Sequence, residues 1–229
     1  MIKIEKTEVS GWDTAIRGMR NPLNSWDKSD TGWISNPWDE ETPKQYLDID
    51  YDYAQVKVIG DNDLALMKKL VKAGSDHRKF MRFITVSLDI TAPLYWWKEF
   101  DTYKIGTTAN SCSTMHTIHK KEFNLDDFSH EHLHSRFGES YEAMDCLVTI
   151  IRTLNKYRDL YLETKEKFWW WQLIQLLPTS YNQKRTVLLN YEVLRNMYHS
   201  RKVHKLDEWR DFCKWIETLP YHELITEEC

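Results

Sequence analysis

The run from Asp61 to Lys104 constrains the fold most. Leu64, Met67, Leu70 and Val71 recur at helical spacing, so a helix should carry them on one face. Asp61 or Asn62 can cap its start, and Gly74 can close it. Ile84, Val86, Leu88 and Ile90 then alternate with Thr85, Ser87, Asp89 and Thr91, the period of a half-buried strand. Pro93 suits the first turn of a second helix, running from Leu94 to about Lys104. Neither a one-faced helix nor a one-faced strand can bury its apolar side alone, so helices must pack on a sheet. The expected fold class is α/β (α+β), a twisted sheet packed with several helices.

The flanks extend this pattern. Ile2 to Val9 alternates as a first strand, and Trp12 to Met19 reads as a short helix ending before Asn21-Pro22. Residues 23–50 are rich in Asp, Ser, Asn and Pro and carry Trp26, Trp33 and Trp38. A long irregular segment of this kind serves as a binding loop or lid, and an interface loop has the same composition. Gly106 to Ser111 reads as a small-residue loop. A long helix from Ser140 would bring Met144, Leu147, Ile151, Leu154 and Tyr161 near one face. Phe168 to Leu177 continues helically and stops at Pro178, and two more helices are expected over Leu188–His199 and Leu206–Leu219.

Composition excludes several function classes. A chain of 229 residues suits one compact domain with a full core, so residues 1–229 are read as a single domain. The net charge is -4 and no basic run stands out, which leaves no electrostatic footprint for nucleic acid but allows a small anionic ligand. No apolar run reaches membrane-spanning length, and the N-terminus has no apolar signal region. Cys112, Cys146, Cys213 and Cys229 are scattered, as reduced thiols of a cytoplasmic protein would be. His130, His132 and His134 have metal-capable spacing, but no Cys lies near and no H-E-x-x-H is present, so the segment reads as solvated and no metal is expected. His116 and His119 read as surface. Trp169, Trp170 and Trp171 point in different directions on a helix, so one should be core and another interface.

Two blocks remain, and their order matters. In the first, His77, the strand to Thr91, Ala92-Pro93 and the Trp96-Trp97-Lys98-Glu99 helix precede Thr108-x-Asn110-x-x-Ser113. In the second, Leu177-Pro178 precedes Asn190, Leu194, Asn196 and Arg201. In this joint spacing the chain resembles the flavin-dependent thymidylate synthase family, whose motifs are R-H-R-x-x-S-x-N-x-x-S-x-R and, after Leu-Pro, Asn-Ala-Arg-Ser-Leu-x-Asn with a later Leu-Arg. The resemblance implies a homotetramer with sites between subunits. It also implies methylation of dUMP, or a related pyrimidine nucleotide, at C5, with carbon from methylenetetrahydrofolate, hydride from reduced FAD, and NADPH recharging the flavin. Carried over by position, Arg201 and Ser113 would be catalytic, and Glu99, Ser111, Ser113 and Arg201 would meet the nucleotide. His77, Tyr103, Lys104, Asn110 and Asn190 would meet the flavin.

The chain departs from the family pattern at its arginines. The R-H-R triplet falls on Thr102-Tyr103-Lys104, or on Tyr103-Lys104-Ile105 with a one-residue slip. The motif's last Arg falls on Met115, the Arg of Asn-Ala-Arg on Glu192, and a further one near Ile174. Met and Ile remove the charge and Glu inverts it, so bidentate phosphate pairing at these places is lost. A second reading follows: a non-catalytic protein that sequesters or senses a nucleotide on the same fold. A third is a structural oligomer. Arg201 itself also fits a helix-end cation favoured by the helix dipole.

Overall fold

A computed structural model of the chain describes residues 2–35, 45–137 and 140–228; Trp38 and Cys229 lie outside them. In chain order the regular elements are β1 (Lys3–Ser10), α1 (Trp12–Arg20), β2 (Gly32–Ser35), β3 (Asp48–Asp50), β4 (Gln55–Val58), α2 (Asp61–Lys72), β5 (Thr85–Pro93) and α3 (Leu94–Phe100). There follow β6 (Thr108–Ser111), α4 (Thr114–Thr117), β7 (Arg136–Phe137), β8 (Ser140–Tyr141), α5 (Ala143–Thr164) and α6 (Lys167–Leu176). The chain ends with β9 (Asn182–Asn190), α7 (Tyr191–Arg201), α8 (Asp207–Ile216) and α9 (Glu223–Thr226). The main sheet has the order β1-β5-β9-β6, and β2-β4-β3 form a small antiparallel sheet. This is the mixed helix-and-sheet class expected. No described helix is long and apolar enough to cross a membrane.

The chain divides into two compact units. The first holds residues 1–4, 89–102 and 109–186. Its aromatic centre is Trp96, Trp97 and Phe100, all buried, with Trp96 edge-on to Trp97 at 4.9 Å between ring centroids. The Trp97 indole N–H is satisfied by the Gln183 carbonyl at 2.9 Å, as a buried donor requires. The Arg185 guanidinium caps the same ring at 4.2 Å and pairs with Asp101 at 2.7 Å. The packed helices α5 and α6 bury Leu147, Ile151, Leu154 and Leu173 against Ile118, Phe123 and Phe128. The Trp triplet contributes less to the core than expected: Leu173 is the buried residue of α6, Trp169 and Trp170 are half-buried, and Trp171 is exposed.

The second unit holds residues 5–88, 103–108 and 187–229. Trp12 meets Tyr191 and Tyr221 edge-on at 5.3 and 5.5 Å. The Tyr221 hydroxyl accepts from the Ile59 N–H at 3.0 Å. A buried ion pair, Arg20 to Asp63 at 2.7 Å, ties α1 to α2. Asp63 Oδ2 also accepts from Ser29 Oγ, Asp30 N, Thr31 N and Thr31 Oγ1, at 2.6 to 3.2 Å.

Several local expectations are revised. The loop expected at Gly106–Ser111 is partly the edge strand β6, exposed along its length. The helix expected from Leu188 begins only at Tyr191, because Val187 and Leu189 are buried while Leu188 is 44% exposed, a period of two. The helix after Pro93 ends at Phe100, four residues early, where Thr102 turns its N–H and hydroxyl back onto the Glu99 carbonyl. The long helix begins at Ala143, since Ser140–Tyr141 is a strand. Neither Asp61 nor Asn62 caps α2. Gly60 is the N-cap without a side-chain bond, and Asp30, thirty residues away, accepts from the Asn62 and Asp63 N–H groups at 2.9 and 3.1 Å. The irregular stretch 23–50 contains β2 and β3.

Candidate functional site

Arg201 ends α7 in the second unit. Its Nε donates to the Tyr103 hydroxyl at 3.0 Å. Its guanidinium lies 5.6 Å from the Tyr103 ring centre and 4.8 Å from that of Trp209. Tyr103 and Trp209 are themselves edge-on at 6.0 Å. A hydrogen bond and two aromatic faces thus help to fix this planar cation. Trp209, a fully buried residue of α8, was not singled out from sequence; nothing in its local spacing marks it as a partner of Arg201.

The segment 103–108 also meets the start of α7. Asn190 is the N-cap, its side-chain oxygen accepting from Val193 N at 3.0 Å. Gly106 has φ +77°, and a Cβ there would lie 2.8 Å from Asn190 Nδ2 and 3.0 Å from Val193 Cγ2. Glycine is therefore required on both conformational and packing grounds. Tyr103 is half-buried, and Lys104 and His77 are exposed. The structure brings Tyr103 to Arg201 and Gly106 to Asn190.

The remaining sequence candidates lie in the first unit. Ser113 caps α4, its hydroxyl accepting from His116 N at 3.2 Å. Asn110 and Ser111 are exposed on β6, and Glu99 is half-buried on α3. The residues at the positions where the resemblance expects arginine have definite surroundings. Glu192 is buried and accepts from Arg78 Nε at 2.8 Å. Ile174 packs on the α5–α6 core, and Met115 is 49% exposed.

A polar cavity of about 470 Å³ flanks α7 in the second unit, lined by Arg78, Arg195, Asn196, His199, Ser200 and Glu228. Arg195 is buried and donates to the Leu224 and Ile225 carbonyls at 3.2 and 2.9 Å. Burial pushes the His199 pKa down, and the neighbouring Arg195 charge adds to this. No group of His, Cys, Asp or Glu able to hold a metal occurs among the described residues; His132 and His134 are exposed, and His130 is half-buried with Nδ1 2.8 Å from the Phe128 carbonyl oxygen.

The whole chain aligns with two solved structures of thymidylate synthase X (ThyX) from Helicobacter pylori, both with FAD and dUMP. The TM-score is 0.64 for each, at 15% and 16% identity, covering 98% of this chain and 96% and 100% of theirs. The chain has the ThyX fold. No protein-family profile and no curated protein matches it. At such identity the likeness fixes the fold alone. Asn190's oxygen is committed to α7, Tyr103's hydroxyl to Arg201, and only Lys104 offers an exposed cation on that segment.

Proposed function

We propose that this chain is a divergent relative of the flavin-dependent thymidylate synthases that binds a pyrimidine nucleotide, with Arg201 as the cation that meets the base. The observation that carries the reading is the fixed Arg201 guanidinium, held by the Tyr103 hydroxyl and set against the Tyr103 and Trp209 rings. A delocalised cation held before the ligand arrives lowers the reorganisation needed to stabilise negative charge on a pyrimidine carbonyl oxygen. ThyX, which shares the fold over the full chain, was solved with dUMP. Nucleotide roles for Glu99, Ser111 and Ser113 belong to the same proposal and rest on the sequence resemblance. So do the functioning of 1–229 as one domain, a homotetrameric assembly and a cytoplasmic location.

Sequestering or sensing of the nucleotide is favoured over methyl transfer. Glu192 inverts a charge that the resemblance assigns to arginine and is locked to Arg78, while Ile174 is part of an apolar core. Methylation of dUMP with methylenetetrahydrofolate, reduced FAD and NADPH is the second reading. The exposed Lys104 and His77 favour it, with Asn110 and Asn190 as further flavin contacts.

Calorimetry on the purified full chain with dUMP, UMP, CMP and FAD tests the reading. Binding of one pyrimidine nucleotide, weakened tenfold or more in Arg201→Ala and kept in Ser200→Ala, is expected; no binding of any of them would overturn it. Flavin absorbance that survives gel filtration, with rescue of a thymidine-requiring bacterial strain, would move the assignment to the second reading.

A further inference from the structure

A separate cavity of about 460 Å³ lies in the second unit, within the size range of small-molecule sites. One face of α1 supplies Asp13, Ile16, Arg17 and Arg20, spaced so that they align along the helix. The opposite side comes from Trp26, Ser29, Thr31, Trp33 and Lys57. The register pairs Trp33 of β2 with Lys57 of β4, which sets the indole and the ammonium side by side, Nζ 5.9 Å from the ring centre.

Asp63 gathers Arg20 Nε, the Ser29 hydroxyl and both the N–H and hydroxyl of Thr31, so the cavity's polar floor is fixed from behind. The walls are apolar and open. Trp26 is 50% and Trp33 44% exposed, large areas for indoles to leave in water. The Trp26 ring is oriented by its own N–H, which donates to Asn21 Oδ1 at 2.8 Å. Charge is unbalanced. Three cations (Arg17, Arg20 and Lys57) meet two carboxylates, Asp63 on Arg20 and Asp13 on Lys57 at 2.7 Å each. Arg17 is the excess, exposed at the rim, and no described residue pairs with it.

We propose that this cavity binds a small planar anion, an aromatic ring lying on the Trp26 or Trp33 indole with its carboxylate or phosphate on the Arg17 guanidinium. Aromatic stacking supplies the apolar contact, and the planar guanidinium matches either oxyanion in two-point fashion. The site shares no residue with Arg201 and does not depend on the nucleotide reading above.

Calorimetry on the full chain tests it with two matched series. The carboxylate arm is indole-3-acetate against indole and acetate; the phosphate arm is AMP against adenosine and inorganic phosphate. Binding of the complete molecule in at least one arm, tenfold or more tighter than either fragment, is expected. The arm that binds names the source of the anion. Arg17→Gln and, separately, Trp33→Leu should each weaken that binding tenfold or more, with Trp26→Leu as a second wall variant and thermal melts confirming that each folds. Two results would overturn the proposal: neither complete molecule binding, or binding that survives Arg17→Gln together with both tryptophan changes.

Discussion

Asp63→Asn is a substitution from which the structure predicts a large loss of stability. The side chain keeps its size and loses its charge. In the native protein one carboxylate oxygen takes Arg20 Nε at 2.7 Å, and the other takes four donors from Ser29, Asp30 and Thr31. An amide has one oxygen and one donor group. If the amide nitrogen replaces Oδ2, it faces those four donors; if it replaces Oδ1, it faces the guanidinium. In both orientations Arg20, only 4% exposed, keeps its charge with no carboxylate beside it. Removing one partner of a buried ion pair costs about 3–5 kcal/mol, since it strands the other charge. That is a large share of the roughly 5–15 kcal/mol by which a protein is stable. Urea unfolding followed by circular dichroism reads it as a fall in midpoint. Adding Arg20→Met removes the stranded charge, so the double variant should be less destabilised than the sum of the singles. A loss below about 1 kcal/mol for Asp63→Asn, a surface-pair magnitude, would refute the argument that this carboxylate is the hub of α1, α2 and the 29–31 turn.

Three further outcomes follow. Burial pushes the Asp63 carboxyl up, but hydrogen bonds from Ser29, Thr31 and Arg20 and the Arg20 charge outweigh it, so its folded pKa lies below 3.8. Its contribution is therefore complete above the unfolded value and lost as pH falls through the folded one; a urea midpoint that does not decline further below about pH 4 would contradict this. Gly11 and Gly74 both have positive φ, but a Cβ at Gly11 would lie 1.9 Å from the Phe83 carbonyl oxygen and one at Gly74 would touch nothing within 4 Å. Gly74→Ala should cost about 1–3 kcal/mol from backbone strain alone, and Gly11→Ala clearly more in the same urea titration. Burial pushes the Cys213 thiol up to about 12, so at pH 8 a thiol reagent should label exposed Cys112 and Cys146 in the native protein and reach Cys213 only after unfolding, as peptide mass spectrometry would show.

The parts of the fold that were legible in sequence are those whose signal is local and repeated. The helix carrying Met67 and Val71, the strand from Ile84 to Ile90 and the long helix of Leu147, Ile151 and Leu154 each repeat their period several times, and the structure forms all three near the expected bounds. The misread pieces carry short or conflicting signals. Thr186 to Asn190 offers only two inward residues before α7 begins, and its leucines suit a helix as well as a strand. Thr108 to Ser111 has no apolar residue pointing inward, so its strand character comes from pairing with β9 and not from its own composition. The α2 cap is not local, since Asp30 supplies it from a turn thirty residues upstream.

The same distinction governs the site. Arg201 can be picked out as a candidate because its spacing from Leu177-Pro178 is a property of the chain alone. What holds it was not visible, because Tyr103 and Trp209 are 98 residues before it and eight after it, and only the fold gathers them. The Tyr103 contact also bears on the positions where the resemblance expects arginine and the chain has Met115, Ile174 and Glu192. A guanidinium that takes its hydrogen bond and its ring contacts from within the chain no longer needs a ligand phosphate or a second arginine network to orient it. The absence of arginine where the resemblance expects it and the presence of Arg201 are then compatible: the cation keeps its place whatever charges surround it. Tyr103→Phe separates the two ideas, since it removes the orienting hydroxyl and leaves both the ring and the charge. If orientation matters to binding, nucleotide affinity should fall in Tyr103→Phe by the roughly tenfold that a lost hydrogen bond of about 1.5 kcal/mol allows, with little change in the thermal midpoint. Equal affinity in the two proteins would mean that the aromatic faces alone position Arg201 and that its bond to Tyr103 has no part in recognition.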